Sequence, residues 1–225
     1  MPWPEWTRDV EVEPSLYGAD FSRLGEQTEA LLEAGARIFH YDIGDGHFVE
    51  PITIGPIVLQ SISPLIHRGG GRIDVHMMVD QPAKHFAAVA AAGGDSVTFH
   101  VEAVGDVLAT VGAAREHGLE VGVAFNPETD PESVAEYGEA VDLVLCMSIN
   151  PGYSGQPFQE ATYDRVRRLR AALPDAVLIQ VDGGVNAQNI RPLHDAGARL
   201  LVAASSIFGD EEPPSAYRRL LQHVQ

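Results

Sequence analysis

Short apolar runs recur along the chain, and longer amphipathic stretches fill the intervals between them. Val10–Ser15, Ile38–Asp42, Ile73–Met78, Ser96–His100, Glu120–Phe125, Asp142–Met147, Val177–Asp182 and Leu200–Ala204 read as eight β-strands. Between them, Phe21–Ala34 puts Phe21, Leu24, Leu31 and Leu32 on one helical stripe. Pro82–Ala92, Val104–His117, Phe158–Ala172 and Ala187–Ala196 pattern the same way. Glycine closes four of these segments just before the next strand, at Gly35, Gly93, Gly118 and Gly197, the usual helix C-cap device.

Strands that alternate with helices require parallel pairing through right-handed crossovers, and eight such units close into a barrel. The pattern therefore predicts an α/β fold, a single (β/α)8 TIM barrel forming one domain over residues 1–225. An open doubly wound sheet would carry an early G-x-G-x-x-G fingerprint, which is missing.

Composition narrows the function classes. With 45% hydrophobic and 21% charged residues, the chain has an ordinary globular make-up. Its net charge of −17, from 32 acidic and 15 basic residues, argues against a nucleic-acid partner, whose phosphates demand a basic patch. One small phosphate is still admissible, because backbone N–H groups can hold it without lysine. The lone Cys146 excludes an internal disulfide and predicts a reducing, cytoplasmic setting. Residues 1–10 lack the apolar run of a signal peptide, and no stretch reaches the roughly 18 apolar residues of a membrane span.

In a barrel the chemistry gathers at the C-terminal ends of the strands. His40 and Asp42 end the second strand two residues apart, hence on one face; His76 ends the third and Asp182 the seventh. One such residue commonly anchors a loop. Two imidazoles and two carboxylates arriving from three strands instead form a mixed N/O donor set suited to Zn²⁺, Fe²⁺, Mn²⁺ or Co²⁺. A second constellation reads as a phosphate cradle. It comprises Asn150-Pro151-Gly152-Tyr153-Ser154-Gly155 after strand six, Gly183-Gly184 after strand seven and Ala204-Ser205-Ser206 after strand eight. Cys146 reads as a packed core thiol, and His67, His85, His117, His194 and His223 as surface residues. His100 ends strand four with no partner adjacent in sequence.

Taken together, these segments resemble the ribulose-phosphate 3-epimerase family from about Val12 to the last helix. The matching motifs are Pro14-Ser15, Ala19-Asp20-Phe21, His40-Tyr41-Asp42 with Asp45-Gly46-His47-Phe48, Asp74-Val75-His76-Met77-Met78-Val79 and Asn126-Pro127. Met147-Ser148-Ile149-Asn150-Pro151-Gly152 and Val181-Asp182-Gly183-Gly184-Val185-Asn186 continue the match in order. The resemblance implies a ribulose-phosphate-binding type of barrel and one divalent metal ion per subunit, Zn preferred, on His40, Asp42, His76 and Asp182. It makes Asp42 and Asp182 the catalytic acid–base pair that inverts C3 of D-ribulose 5-phosphate through a metal-stabilised enediolate. It also implies sugar contacts from Ser15 and His76, an apolar lining from Met78 and Met147, and phosphate contacts from Gly152, Tyr153, Ser154, Gly155, Gly183, Gly184, Ala204 and Ser205. A homo-oligomer is implied as well.

The chain departs from the family pattern at several positions. Gly44 replaces the usual Met, Ala204 and Ser154 replace Gly, Gln180 replaces Glu, Pro157 replaces Lys, and Val49-Glu50-Pro51 replaces Val-Pro-Asn. Gly44 carries an expectation of its own: extra room for a longer ketose phosphate, with 3-epimerisation of a hexulose 6-phosphate such as allulose 6-phosphate as the runner-up. A non-catalytic sugar-phosphate-binding barrel is the reading outside enzymes. Related barrels with decarboxylase or aldol chemistry use Asp-x-Lys-x-x-Asp, and Asp74–Asp80 lacks that lysine.

Overall fold

A computed structural model describes residues 3–153 and 156–225. Its eight strands are β1 (Glu11–Pro14), β2 (Ile38–Gly44), β3 (Arg72–Met78), β4 (Ser96–His100), β5 (Glu120–Phe125), β6 (Leu143–Met147), β7 (Leu178–Asp182) and β8 (Leu200–Ala203). All seven ladders are parallel, in the order β1-β8-β7-β6-β5-β4-β3-β2. The ring closes between β1 and β2 through a single parallel bridge, Ser15 to His40. The predicted strands thus stand, with ends displaced by a residue or two.

The helices are α1 (Trp3–Trp6), α2 (Leu24–Glu33), α3 (Pro56–Arg68), α4 (Phe86–Ala91), α5 (Val107–Arg115), α6 (Pro131–Ala135), α7 (Thr162–Ala172), α8 (Ile190–Ala196), α9 (Ser205–Phe208) and α10 (Pro213–Gln222). Five of these, α1, α3, α6, α9 and α10, add to the segments read from the pattern. Helix α3 buries Leu59, Ile62, Ser63 and Ile66, a strict i, i+3, i+4, i+7 stripe, yet holds Pro64 inside it, which masks the signal. Helix α1 is a single turn before the first strand.

Each strand splits its side chains by parity. Outward residues such as Val12, Phe39, Val75, Phe99, Val123, Val144, Ile179 and Leu201 pack under the helices in the main core. Inward residues fill the barrel. At its floor Ile38, Leu143, Leu145 and Leu200 form a smaller apolar cluster, and Trp3 and Trp6 of α1 pack into it. The two indoles lie 4.9 Å apart at 46°. Above the floor on the side of β1, β2, β3, β4 and β7 the filling turns polar. Glu13, His40, Asp74, Ser96, Thr98 and Gln180 are all fully buried there. This layer is the platform on which the strand-end residues stand.

Candidate active site

His40 and Asp42 share the inward face of β2, His76 follows on β3 and Asp182 ends β7. Register sets Asp42 directly opposite His76. One donor atom from each of the four lies within 4.8 Å of the others. His40 Nε2 is 3.2 Å from Asp42 Oδ1, and His76 Nδ1 is 3.0 Å from the same oxygen and 4.0 Å from Asp182 Oδ2. The structure therefore brings together all four residues singled out from sequence.

This cluster could hold a cation. His40 Nε2 is buried without an aligned hydrogen-bond partner, an atom that costs free energy unless something else takes its lone pair. Burial pushes the Asp182 carboxyl up, and the neighbouring Asp42 carboxylate pushes it further, against the pull of His40 and His76. Burial acts on Asp42 the same way, but its contacts with the two imidazoles outweigh that, and its carboxyl sits well below the usual range. Two carboxylates and two imidazoles at this spacing match the donor chemistry of a borderline divalent ion.

The surroundings fix these donors in place. Ser15 Oγ donates to Asp42 Oδ2 at 2.6 Å. His40 turns its other nitrogen, Nδ1, to Asp74 Oδ2 at 3.2 Å. Asp74 in turn accepts from Ser96 at 2.7 Å and from the Gln180 amide at 2.9 Å. A carboxylate behind the far nitrogen of a ligand histidine holds its ring orientation and tautomer. His76 has its own backing, His100 Nε2, which lies 2.9 Å from His76 Nε2. Asp74, Gln180, Glu13 and His100 belong to the site although sequence motifs alone did not join them.

Above the cluster opens a cleft at the C-terminal ends of the strands. Ser15, Met78, Met147, Gly152, Tyr153, Gly183, Gly184, Ala204 and Ser205 line it, as do Asp42 and Asp182. Pro151, part of the cradle read from sequence, lines it too, and Tyr17, Ile149, Val185 and Val202 join without having been anticipated. His40 and His76 lie fully buried beneath it. The expected contacts Ser154 and Gly155 fall outside the described residues. Among the described lining residues none is Lys or Arg, so the donors left for an anion here are backbone N–H groups and hydroxyls. Helix α9 begins at this wall with Ala204 and Ser205, and its Ile207 and Phe208 amides donate to Ala204 O at 3.0 and 2.9 Å. Gly183 is required at its position: φ is +113° and an added Cβ would come within 2.5 Å of Ile149 Cγ1.

Two departures from the family pattern acquire a physical account. Ala204 is tolerated because Gly18 faces it; a Cβ on Gly18 would lie 3.2 Å from the Ala204 methyl. Gly44 does not open the site, contrary to the expectation from sequence. A Cβ there would meet Pro51 O at 3.0 Å, Val49 Cγ2 at 3.0 Å and Thr53 Cγ2 at 3.1 Å. The β2–α3 loop has folded into the vacated space. Thr53 Oγ1 donates to Asp42 O at 2.8 Å and accepts from Gly44 N at 2.6 Å, while Asp45 and Ile52 form an antiparallel bridge. The loop also reaches the β6–α7 loop, where Tyr153 Oη donates to Glu50 Oε2 at 3.2 Å.

Comparison with known proteins agrees with this geometry. The profile of the Ribulose-phosphate 3 epimerase family matches residues 11–208. Ribulose-phosphate 3-epimerase 2 of Cupriavidus necator is 38% identical over 225 residues, covering 97% of this chain and 92% of its own. The ribulose-phosphate 3-epimerases of Escherichia coli K12 and Bacillus subtilis are 38% and 35% identical, over 95% and 92% of this chain and 94% and 96% of theirs. Among solved structures, KGPDC from Streptococcus mutans superposes with a TM-score of 0.71 at 14% identity, covering 96% of this chain and 98% of its own. 3-Hexulose-6-phosphate synthase from Salmonella typhimurium gives 0.72 at 15% over the same shares. At such identities these two attest the barrel alone.

Proposed function

The chain belongs to the ribulose-phosphate 3-epimerase family, and on that premise we propose that it interconverts D-ribulose 5-phosphate and D-xylulose 5-phosphate by inverting C3. The observation that carries this reading is the convergence of Asp42 and Asp182, with His40 and His76, at the floor of a cleft walled by glycine-rich loops. Inversion needs one group to take a proton from one face and another to return a proton to the opposite face. Asp42 and Asp182 come from β2 and β7, on different sides of the cleft floor, and are the only carboxylates among its described lining residues. Their environments push their proton affinities apart before any ligand arrives, the arrangement that general acid–base pairs use.

A divalent cation held by His40, Asp42, His76 and Asp182, zinc in preference to iron, manganese or cobalt, would supply Lewis-acid stabilisation of the negative charge that develops on the sugar oxygens. Ser15, hydrogen-bonded to Asp42, orients that carboxylate and faces the sugar, with His76 beneath it. Met78 and Met147 give the reacting carbons an apolar wall that keeps water away. The phosphate takes the amides of Gly152–Gly155, Gly183, Gly184, Ala204 and Ser205, which suits a protein of charge −17 with no basic side chain among the described residues lining the cleft. Because the space beside Gly44 is filled by its own loop, a five-carbon substrate is favoured over a hexulose phosphate. The same reading takes the protein to be a cytoplasmic homo-oligomer of single-barrel subunits.

The test is solvent exchange. Ribulose 5-phosphate incubated in deuterated water with zinc-, manganese- or iron-loaded protein should acquire one deuterium at C3 of the xylulose product. A panel of pentulose and hexulose phosphates ranks the substrates. The Asp182→Asn variant should lose turnover by about 10³-fold or more while its circular dichroism stays that of the wild type. A metal-loaded wild type that exchanges no proton of any ketose phosphate would end the epimerase reading.

A further inference from the structure

We infer that His100, backed by Glu102, is a positioning residue that fixes the tautomer of His76 and so keeps its Nδ1 lone pair available to the metal. The inference rests on the metal reading above.

His76 divides its two nitrogens between two environments. Nδ1 faces the ligand cluster, 3.0 Å from Asp42 Oδ1. Nε2 points away from it, 2.9 Å from His100 Nε2, with the two rings stacked at 29° and 5.0 Å. A nitrogen–nitrogen contact of this length holds one proton, so one ring donates and the other accepts. If His100 donates, its own Nδ1 is a bare lone pair. That lone pair would face Glu102 Oε2 at 3.4 Å. Lone pair against carboxylate in a fully buried site is repulsive. If His76 donates, His100 carries its proton on Nδ1, toward Glu102, and every contact along the chain is attractive. The cost is transferred to His76 Nδ1, now a lone pair facing carboxylate oxygens, and a cation removes it.

Glu102 is itself held firmly. It accepts from the Asn126 backbone N–H at 2.8 Å and from Thr129 Oγ1 at 2.5 Å. The His100 Nδ1 to Glu102 contact is not an aligned hydrogen bond, so charge rather than geometry sets the tautomer. Phe48 packs against the His100 ring at 4.8 Å and 47°.

The experiment separates this role from packing. Kd for Zn²⁺ is measured by chelator competition on the wild type, His100→Gln, His100→Phe and Glu102→Gln, and the Co²⁺-loaded forms are compared by visible absorption. Gln can accept the His76 Nε2 proton, whereas Phe fills the space beside Phe48 but accepts nothing. The expected order is wild type, then His100→Gln, then His100→Phe, with the Phe variant weaker by about 10- to 100-fold and its Co²⁺ bands shifted. Glu102→Gln should weaken binding by about 10-fold. Urea unfolding in EDTA should leave the metal-free forms alike. A Phe variant that binds zinc as the wild type does, or better than the Gln variant, overturns the inference in favour of packing. Should both His100 variants fail to fold, an unchanged Kd in Glu102→Gln overturns it as well. A wild type that binds no divalent ion sinks the metal reading itself, a different outcome from either.

Discussion

Glu13 shares one amide partner with another buried carboxylate: Gln180 Nε2 donates to Glu13 Oε2 at 2.5 Å and to Asp74 Oδ2 at 2.9 Å. Burial, and then the Asp74 charge, push the Glu13 carboxyl well above its ordinary value near 4.5, against His40 and the Gln180 amide. The folded protein therefore keeps a proton that the unfolded chain releases. From about pH 4.5 upward, until the raised value is passed, Glu13's contribution to stability falls as pH rises, by about 1.4 kcal/mol for each pH unit. Glu13→Gln removes the proton while retaining a polar side chain of the same shape. The variant is expected to be more stable than the wild type at about pH 7, with the advantage shrinking toward about pH 4, in urea titrations of the EDTA-treated proteins. Equal pH slopes would refute the buried, protonated Glu13. Nothing in the run from Val10 to Ser15 distinguishes this glutamate from a solvated one, because its surroundings come from residues up to 167 positions away. His40, Asp42, His76 and Asp182 were legible for the opposite reason. Each lies on the inward parity of its strand, so local pattern and barrel topology suffice to bring them together. His100 satisfied the same rule, but its partner is a ligand on another strand, and adjacency in sequence says nothing of it.

At the scale of elements, the β2–α3 loop accounts for Gly44 in a way that residue-by-residue reading could not. A missing side chain read in isolation suggests empty space; the fold shows Val49, Pro51 and Thr53 occupying it. Restoring the family's methionine by Gly44→Met should therefore act as overpacking. The expectation is a loss of about 1–3 kcal/mol in unfolding free energy, with a raised KM for the sugar phosphate and an unchanged zinc Kd. Denaturant titration and steady-state kinetics check it; a Met variant as stable as the wild type would mean that the loop yields freely. Strand positions were readable throughout because parallel barrel strands are apolar on their outer parity and bounded by turns. Helix α3 was obscured by Pro64, and α9, of four residues, is too short to show a period.

For the molecule as a whole, the floor of the barrel is closed by a single helical turn. Trp3 is 1% exposed and Trp6 7%, both packed on the inward leucines and Ile38. Trp3→Ala should cost about 3 kcal/mol, at the low end for a buried tryptophan, since its indole N–H has no acceptor to lose. Urea unfolding measures this, and activity at room temperature should persist, because the ligand cluster stands on the polar layer rather than on the floor. Loss of metal binding in that variant would show the floor and the site to be coupled.

The seam of the barrel has a consequence for biosynthesis. β1 is zipped to β8 over four residue pairs but touches β2 by one bridge, whereas β2 and β3 share seven pairs. The first strand thus belongs mechanically with the last, and during translation it must wait for nearly the entire polypeptide before it finds its principal neighbour. Until then the barrel cannot close on the side of β1. Cysteine-poor and strongly anionic chains withstand that interval well, since mutual repulsion keeps half-made copies apart.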